Sequence, residues 1–165
     1  MPTGPAGTST NMSNKDIRWQ CLDFAGLDTQ QLYQILYLRQ EVFIVEQACV
    51  YQDLDQLDQQ GLHLCAMQGD KLLAYLRCLP PGASYAQSSL GRVVTSPDAR
   101  GLKLGRELVG RGIDINFSTW PDSDILIGAQ SYLEKFYQEL GFETDSEPYD
   151  EDGIQHIKML LRKRP

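Results

Sequence analysis

Apolar positions along the first third of the chain predict a strand followed by a helix. Residues 17–24, IRWQCLDF, combine apolar and aromatic side chains as an opening strand does. Asp28 and Gln31 stand three residues apart, in the pattern of a helix capping box. The apolar residues that follow recur at helical spacing near one face: Leu32, Ile35, Leu36, Val42 and Phe43. Arg39 lies at the edge of this stripe, and the helix is expected to end near Glu46.

The rest of the chain alternates between short apolar runs and helical patterns. Residues 62–67 and 71–79 are two apolar runs around a short polar turn, which predicts an antiparallel hairpin. The later predicted elements are, in order, a strand at 89–96, a turn at 97–105, a helix at 106–117, a strand at 124–129, a helix at 131–140 closed by Gly141, and strands at 142–149 and 154–161. This order predicts an α+β fold with a mixed, mostly antiparallel sheet and helices on both faces.

Composition separates a tail from the body of the chain. Residues 1–15, MPTGPAGTSTNMSNK, are rich in Gly, Pro, Ser, Thr and Asn and offer almost nothing to bury. Residues 16–165 are long enough to form one domain with its own core. The sequence therefore predicts a disordered N-terminal tail at 1–15 and a single folded domain at 16–165.

Charge and cysteine content narrow the classes of partner. A net charge of −7 and a pI near 4.7 disfavour nucleic acid, because the phosphate backbone would be repelled. No apolar run approaches the roughly 20 residues that span a bilayer, and the N-terminus lacks the order of a signal peptide. The four cysteines form no CxxC pair, so neither a zinc site nor a redox pair is predicted, and each is expected in the core as a small apolar residue. We therefore expect a cytoplasmic protein with no metal, membrane or nucleic-acid partner.

The segment from Arg92 to Leu108 places a strand, a tight turn and a helix start in direct succession. A helix N-terminus exposes unpaired N–H groups and the positive end of the helix dipole, which suits a pyrophosphate. Arg100, Lys103 and Arg106 add positive charge within this turn. From these residues alone, the segment is either a phosphate-binding loop or an ordinary connection between a strand and a helix.

The same segment resembles the acyl-CoA-binding motif of the GNAT acetyltransferases, written Arg/Gln-x-x-Gly-x-Gly/Ala. Arg100 takes the first position and Gly105 the last, while Lys103 replaces the usual middle glycine. The blocks LRQEVFIVEQACVYQDLDQLD and EDGIQHIKM, with His63 between them, resemble the ElaA-like branch of this superfamily. The likeness extends over residues 17–161.

The helix SYLEKFYQELGF resembles the second GNAT motif, in which Tyr137 precedes Gly141 and Phe142 and closes the cofactor site. The side-chain amide common in that family seven residues earlier is present as Gln130. The resemblance implies an N-acyltransferase that uses acetyl-CoA. It also implies the following cofactor-binding residues, of which the first three belong to a bulged fourth strand: Val93, Val94, Thr95, Arg100, Gly101, Leu102, Lys103, Leu104, Gly105, Arg106 and Gln130.

The reaction implied by the resemblance needs an acid and a base. A lysine-like amine has a pKa of about 10.4, so it must lose a proton before it attacks the thioester. Tyr137 is the candidate acid for the leaving thiolate, and packing within a short helix is its ordinary structural role. The candidate bases remain open: Glu46, His63, His156 and Glu151.

Other functions share parts of this pattern. The helix motif around Arg39, Phe43 and Glu46 also resembles acyl-homoserine-lactone synthases, and a CoA-binding sensor without turnover or a binding protein for another nucleotide would keep the phosphate loop. The acceptor is expected to be a small-molecule or peptide amine. Six acids in residues 143–152, and three more at 53, 55 and 58, form either an acidic rim that favours cationic amines or solvated turns. A homodimer is the expected assembly.

Overall fold

The computed structural model describes residues 13–165. Within this range the chain forms eight strands and three α-helices: β1 (Arg18–Asp23), α1 (Thr29–Arg39), β2 (Leu62–Gln68), β3 (Lys71–Leu79), β4 (Ser89–Thr95), α2 (Gly105–Thr119), β5 (Ile125–Gln130), α3 (Glu134–Glu139), β6 (Glu143–Thr144), β7 (Tyr149–Glu151) and β8 (Ile154–Leu161). Most of the predicted tail, residues 1–12, lies outside the described residues, and Asn14–Asp16 is a 3-10 turn.

The strands form two four-stranded sheets that meet at one point. The first has the order β1-β2-β3-β4, and the second has the order β5-β8-β6, with β7 also pairing with β8. All of these pairs are antiparallel. The two sheets are joined by a parallel bridge between Ser88 and Ile125, where the Leu126 amide donates to the Ser88 carbonyl at 2.9 Å. The predicted α+β class with mostly antiparallel pairing is confirmed.

Helices pack on both faces of the first sheet, because successive side chains of β2 point to opposite faces and each face carries an apolar cluster that a helix covers. Cys65 and Met67 pack on the α1 side, in a cluster with Ile35 and Leu38. Leu64 and Ala66 point the opposite way, into the main core with residues of α2 and of the second sheet: Leu108, Val109, Ile113, Ile125, Ile127 and Met159. This core ties the two sheets into one body.

The first helix begins at the predicted capping box, and the helical path ends near Glu46, as predicted, once the π-helical segment after α1 is included. The Asp28 carboxylate accepts from the Gln31 amide at 2.7 Å, and the Gln31 side chain accepts from the Asp28 amide at 3.0 Å. Beyond Arg39 the helix continues as a π-helical segment, Gln40–Glu46. The wider helical turn was not expected from the apolar spacing.

Two sequence predictions are wrong in detail. The strand predicted at 142–149 is interrupted between β6 and β7, because the Lys158 amide of β8 donates to the Ser146 hydroxyl instead of a strand carbonyl, and Pro148 has no N–H to offer. Cys21, expected in the core, is exposed on the outer strand β1, whereas Cys49, Cys65 and Cys78 are buried. No helix in residues 13–165 is long and apolar enough to cross a membrane.

Candidate active site

A cleft of about 790 Å³ lies between β4 and β5, on the side of the Ser88–Ile125 bridge where the two strands are no longer paired. One wall is formed by β4 from Ser89 to Thr95, and the other by β5 from Ile127 to Gln130. The end of the π-helical segment, helix α3 and the β7–β8 hairpin complete it. An open strand edge on each side leaves backbone groups that an extended chain can pair with.

A β-bulge shapes the β4 wall. Tyr75 of β3 pairs with Val94 of β4, and Arg77 pairs with Gly91, so two residues of β4, Arg92 and Val93, stand opposite one residue of β3. Arg92 takes a left-handed conformation with φ of 50°. The bulge interrupts the regular pairing of β4 at the start of the segment from Val93 to Thr95, which the family resemblance assigns to cofactor binding. All three of these residues line the cleft.

Aspartates hold Arg92 in this strained conformation. Its Nε lies 2.8 Å from the Asp53 carboxylate, and its Nη2 donates to the Asp53 carbonyl at 3.0 Å. The same Nη2 lies 3.2 Å from Asp55. A left-handed residue other than glycine persists only where its surroundings over-determine it, and here three contacts to one short loop do so.

The arginine–aspartate network continues inward. Arg39 is fully buried, with Nε 2.9 Å from Asp53 and Nη1 2.7 Å from Asp58. Arg77 forms a two-point pair with Asp55 at 2.8 Å on each side and contacts Asp58 at 2.9 Å. Burial raises the pKa of Asp55, but its bonds to Arg77 outweigh this and lower the pKa to about 2. The acids at 53, 55 and 58 are thus neither an acidic rim nor a solvated turn.

The predicted phosphate loop is a tight turn that leads directly into α2. Pro97–Leu102 is a 3-10 turn, Lys103 has a φ of 54°, and α2 then begins at Gly105 without a side-chain cap. Lys103 thus takes the left-handed conformation for which the related motif uses glycine. Because no side chain caps α2, its first N–H groups are available to a phosphate, and Arg100 and Gly105 line the cleft beside them.

Other residues of the predicted loop lie away from the cleft wall. The Leu104 side chain is buried in the core, and Arg106 pairs with Glu139 at the surface at 3.1 Å. Gly101, Leu102 and Lys103 do not line the cleft either, and they shape the turn that presents Gly105. Within residues 13–165 there is also no group of three or more His, Cys, Asp or Glu residues placed to hold a metal ion.

Tyr137 is a buried residue of α3 beside the cleft. It is 5% exposed, it packs edge-on against Phe136 and Phe142, and it lines the cleft. Gly141 has a φ of 99°, which lets the chain reverse and return Phe142 to that contact. Burial raises the pKa of Tyr137 to about 12. Its hydroxyl therefore keeps its proton at neutral pH and has no hydrogen-bond partner within residues 13–165.

His156 and Glu151 form a pair that also lines the cleft. The Ile154 carbonyl lies 2.8 Å from Nδ1 of His156 and can only accept, so Nδ1 carries the hydrogen. Nε2 lies 3.2 Å from the Glu151 carboxylate, and both residues line the cleft.

The other two candidate bases are differently placed. His63 is buried between β2 and β3, accepts from the Tyr75 hydroxyl at 2.7 Å and donates to the Asp58 carbonyl at 2.9 Å. Both ring nitrogens are therefore engaged, burial lowers the pKa of His63, and the residue does not line the cleft. Glu46 does line the cleft, but its carboxylate pairs with Arg100 at 2.6 Å. Gln130 lies nearby and donates to Gln47 at 3.4 Å.

The sequence reasoning missed several residues of the cleft, among them Tyr85 and Gly128. Tyr85 comes from the connection PPGASYAQ, in which one aromatic residue among small and polar ones was the available signal. Arg77 was a second signal, because an arginine within a buried strand requires carboxylate partners. Both signals concern contacts between distant segments, which periodicity does not report.

The fold and the cleft agree with comparisons to known proteins. Residues 27–163 match the GNAT acetyltransferase domain family. The chain is 41% identical to the UPF0039 protein sll0451 of Synechocystis sp. over 91% of this chain and 98% of that protein. It is 41% identical to protein ElaA of Escherichia coli over 87% of this chain and 95% of that protein. The crystal structure of an acyl-CoA N-acyltransferase from Pseudomonas aeruginosa superposes with a TM-score of 0.83 at 41% identity, over 88% of this chain and 99% of that chain.

The chain therefore belongs to the GNAT acetyltransferase family, in its ElaA-like branch. This confirms the resemblance drawn from the two motifs and assigns the protein to the transferases. The identity of the acyl donor and of the acceptor is a separate question.

Proposed function

We propose that this protein transfers an acetyl group from acetyl-CoA to a primary amine by direct attack of the amine on the thioester. The observation that carries the proposal is the cleft itself. It is bounded by the bulged edge of β4 and carries the Tyr137 hydroxyl and the His156–Glu151 pair on its walls. An acid and a base thus face one space wide enough for two substrates.

Different residues of the cleft suit different parts of CoA. The uncapped N-terminus of α2 at Gly105 and the guanidinium of Arg100 suit the pyrophosphate of CoA. The unpaired edge of β4 suits the amide groups of the pantetheine arm, which pair as a further strand would. A backbone N–H in the segment from Val93 to Thr95 suits the thioester oxygen as it gains charge, a contact that contributes typically ~2.7–4 kcal/mol.

His156 and Tyr137 account for the proton transfers of the proposed reaction. Nε2 of His156 takes a proton from the ammonium form of the acceptor, and the amine nitrogen forms its bond to the thioester carbon. The bond from carbon to sulfur breaks, and the leaving thiolate takes the proton of the Tyr137 hydroxyl. The new amide nitrogen gives up its second proton to solvent, and solvent also returns a proton to Tyr137 and removes the one held by His156. We further propose that Glu46, rather than acting as the base, positions Arg100.

Release of free thiol from acetyl-CoA in the presence of a panel of primary amines tests this proposal. We expect thiol release that depends on the amine, and a His156→Gln variant that loses at least ten-fold in kcat at pH 7 and recovers part of it at higher pH. Binding of acetyl-CoA without thiol release for any amine would instead favour the CoA-binding sensor. Thiol release confined to S-adenosylmethionine as acceptor would favour a synthase of acyl-homoserine lactones.

A further inference from the structure

A group of polar side chains beside the cleft has no part in the proposed reaction. Lys158 of β8 lies directly opposite Gly128 of β5 in the antiparallel ladder. Its Nζ lies 3.3 Å from the hydroxyl of Tyr85 and 3.4 Å from that of Tyr149. The same ammonium lies 4.6 Å and 4.9 Å from the centres of these two rings. We refer to Tyr85, Tyr149 and Lys158 as the Lys158 cluster.

The absence of a side chain at Gly128 leaves room for the two hydroxyls beside this residue of the cleft wall. A Cβ on residue 128 would lie 2.9 Å from the Tyr149 hydroxyl and 3.2 Å from the Tyr85 hydroxyl, so these oxygens fill the space that a side chain would take. Gly128 and Tyr85 both line the cleft, together with His156. Through Tyr85 the cluster borders the same space as the proposed base, whereas Tyr149 and Lys158 do not themselves line the cleft.

The hydrogen-bonding capacity of the cluster is only partly used. An ammonium can only donate, so both hydroxyl oxygens accept from Lys158, and each phenol hydrogen is left to donate elsewhere. Neither hydroxyl has a second partner within residues 13–165. In the same residues Lys158 has no carboxylate within ion-pair distance, whereas the exposed Lys71 pairs with Asp98 at 2.8 Å. Two unused O–H donors and one uncompensated positive charge thus lie together in a chain with a net charge of −7.

We infer that the Lys158 cluster binds a carboxylate of the amine acceptor, an inference that rests on the proposed function. A carboxylate accepts several hydrogen bonds and carries the charge that this ammonium lacks beside it. The side chains of the Lys158 cluster are partly sheltered from water, and this strengthens their contact with a carboxylate. The acceptor is accordingly an amine of the amino-acid or peptide type and not a polyamine.

Spacing along β8 indicates the length of that acceptor. His156 and Lys158 are two residues apart on one face of the strand, which corresponds to roughly 7 Å. In an extended dipeptide the amino nitrogen and the terminal carboxyl carbon are about 6 Å apart, whereas in a single α-amino acid they are only about 2.5 Å apart. A primary amine with its carboxylate one dipeptide length away fits both ends of the site.

Glycylglycine and glycylglycinamide are matched probes, because the amide keeps the size and the amine but loses the negative charge. Thiol release from acetyl-CoA is measured over a range of concentrations of each probe. We expect kcat/KM for glycylglycine to exceed that for the amide at least ten-fold. Lys158→Met should bring this ratio close to one, and Tyr85→Phe should lower it in part, because one donor is removed while the ring stays.

Lys135→Met is the matched control, because it makes the same substitution at an exposed lysine of α3 that is not part of the Lys158 cluster. It should keep the wild-type ratio. Circular dichroism identifies the folded variants, and Tyr85→Phe carries the test if Lys158→Met does not fold. Equal rates for glycylglycine and glycylglycinamide, or an unchanged ratio in a folded Lys158→Met variant, would overturn the inference. The proposed function would still stand if spermidine or phenethylamine gives thiol release. The absence of thiol release with every amine overturns both.

Discussion

Residues of one type take different roles in this chain because their surroundings differ. His63 and His156 were equal candidates in the sequence. The first is buried away from the cleft with both ring nitrogens bound inside the protein, whereas the second lies on the cleft wall beside Glu151. Tyr75 and Tyr137 differ in the same way, because only Tyr137 lacks a hydrogen-bond partner among the described residues and lines the cleft. A place on the cleft wall, more than the residue type, distinguishes the candidate functional side chains.

Replacing Tyr137 by Phe tests its hydroxyl as the acid. The ring keeps its contacts with Phe136 and Phe142, so Tm should change little and KM for acetyl-CoA should stay within a few fold. The turnover number should fall by roughly 10²–10⁴, the range for a positioned acid or base. Tyr33→Phe on the exposed face of α1 is the matched control and should keep full turnover. Full turnover in Tyr137→Phe, measured per folded molecule, would falsify the assignment.

Lys103 offers a test of backbone strain in the phosphate loop. A left-handed conformation destabilises the folded state by about 1–2 kcal/mol for a residue with a Cβ. Glycine avoids this strain, but its greater freedom in the unfolded chain offsets about 0.5–1 kcal/mol of the gain. Lys103→Gly should therefore raise the free energy of unfolding by about 0.5–1 kcal/mol in urea titration. Lys103→Ala removes the same charge but keeps the strain, so it should show no such gain. Equal effects of the two substitutions would mean that charge, not conformation, determines the result.

At the scale of elements, the bulge of β4 depends on a loop far from it in sequence. Asp53 and Asp55 follow the π-helical segment and bind Arg92 in the bulge, while Arg39 and Arg77 bind the same loop from α1 and β3. The network therefore fixes the β4 wall of the cleft relative to α1. Buried ion pairs of this kind contribute less to net stability than to holding one arrangement of segments, and we propose that second role for them here.

Acid titration of Asp55 tests the network. A carboxyl whose pKa is lower in the folded chain stabilises the fold above its unfolded pKa, about 3.9, and this stabilisation disappears as the pH falls through the folded pKa of about 2. The unfolding free energy of wild type should therefore exceed that of Asp55→Asn most above pH 4, and the difference should shrink towards pH 2. The exposed Asp122→Asn should follow wild type throughout. A difference independent of pH would contradict this role of Asp55.

The elements that the sequence predicted correctly are those set by local chemistry. The capping box at Asp28, the polar turn between β2 and β3, and the reversal at Gly141 each act within a few residues. The predicted loop residues Arg100 and Gly105 and the motif residue Tyr137 also reach the cleft. The π-helical segment and the pairing of Asp53 with Arg39 escaped prediction, and the bulge in β4 was expected only from the family resemblance, because each is determined by partners distant in the chain.

At the scale of the whole molecule, the cleft is the opening between two sheets that share one core. The sheets are joined by the Ser88–Ile125 bridge and by packing beneath it, and they are unpaired along the cleft. A cosubstrate that binds between them, with its pyrophosphate at the start of α2, would contact both sheets in the folded state alone. Such binding stabilises the fold by about 2.7 kcal/mol when the ligand is at 100 times its dissociation constant.

Gly105 allows this stabilisation to be separated from folding. Acetyl-CoA should raise Tm more than the same concentration of acetyl-pantetheine, which lacks the pyrophosphate, and calorimetry should show the same order of affinity. No atom lies within 4 Å of a Cβ built on Gly105, so Gly105→Ala should bind normally. Gly105→Asp brings a carboxylate to the helix N-terminus, which favours the helix dipole but repels a phosphate. The Asp variant should therefore melt no lower than wild type without ligand, yet lose most of the shift caused by acetyl-CoA. Normal acetyl-CoA affinity in this variant would remove the phosphate site from the start of α2.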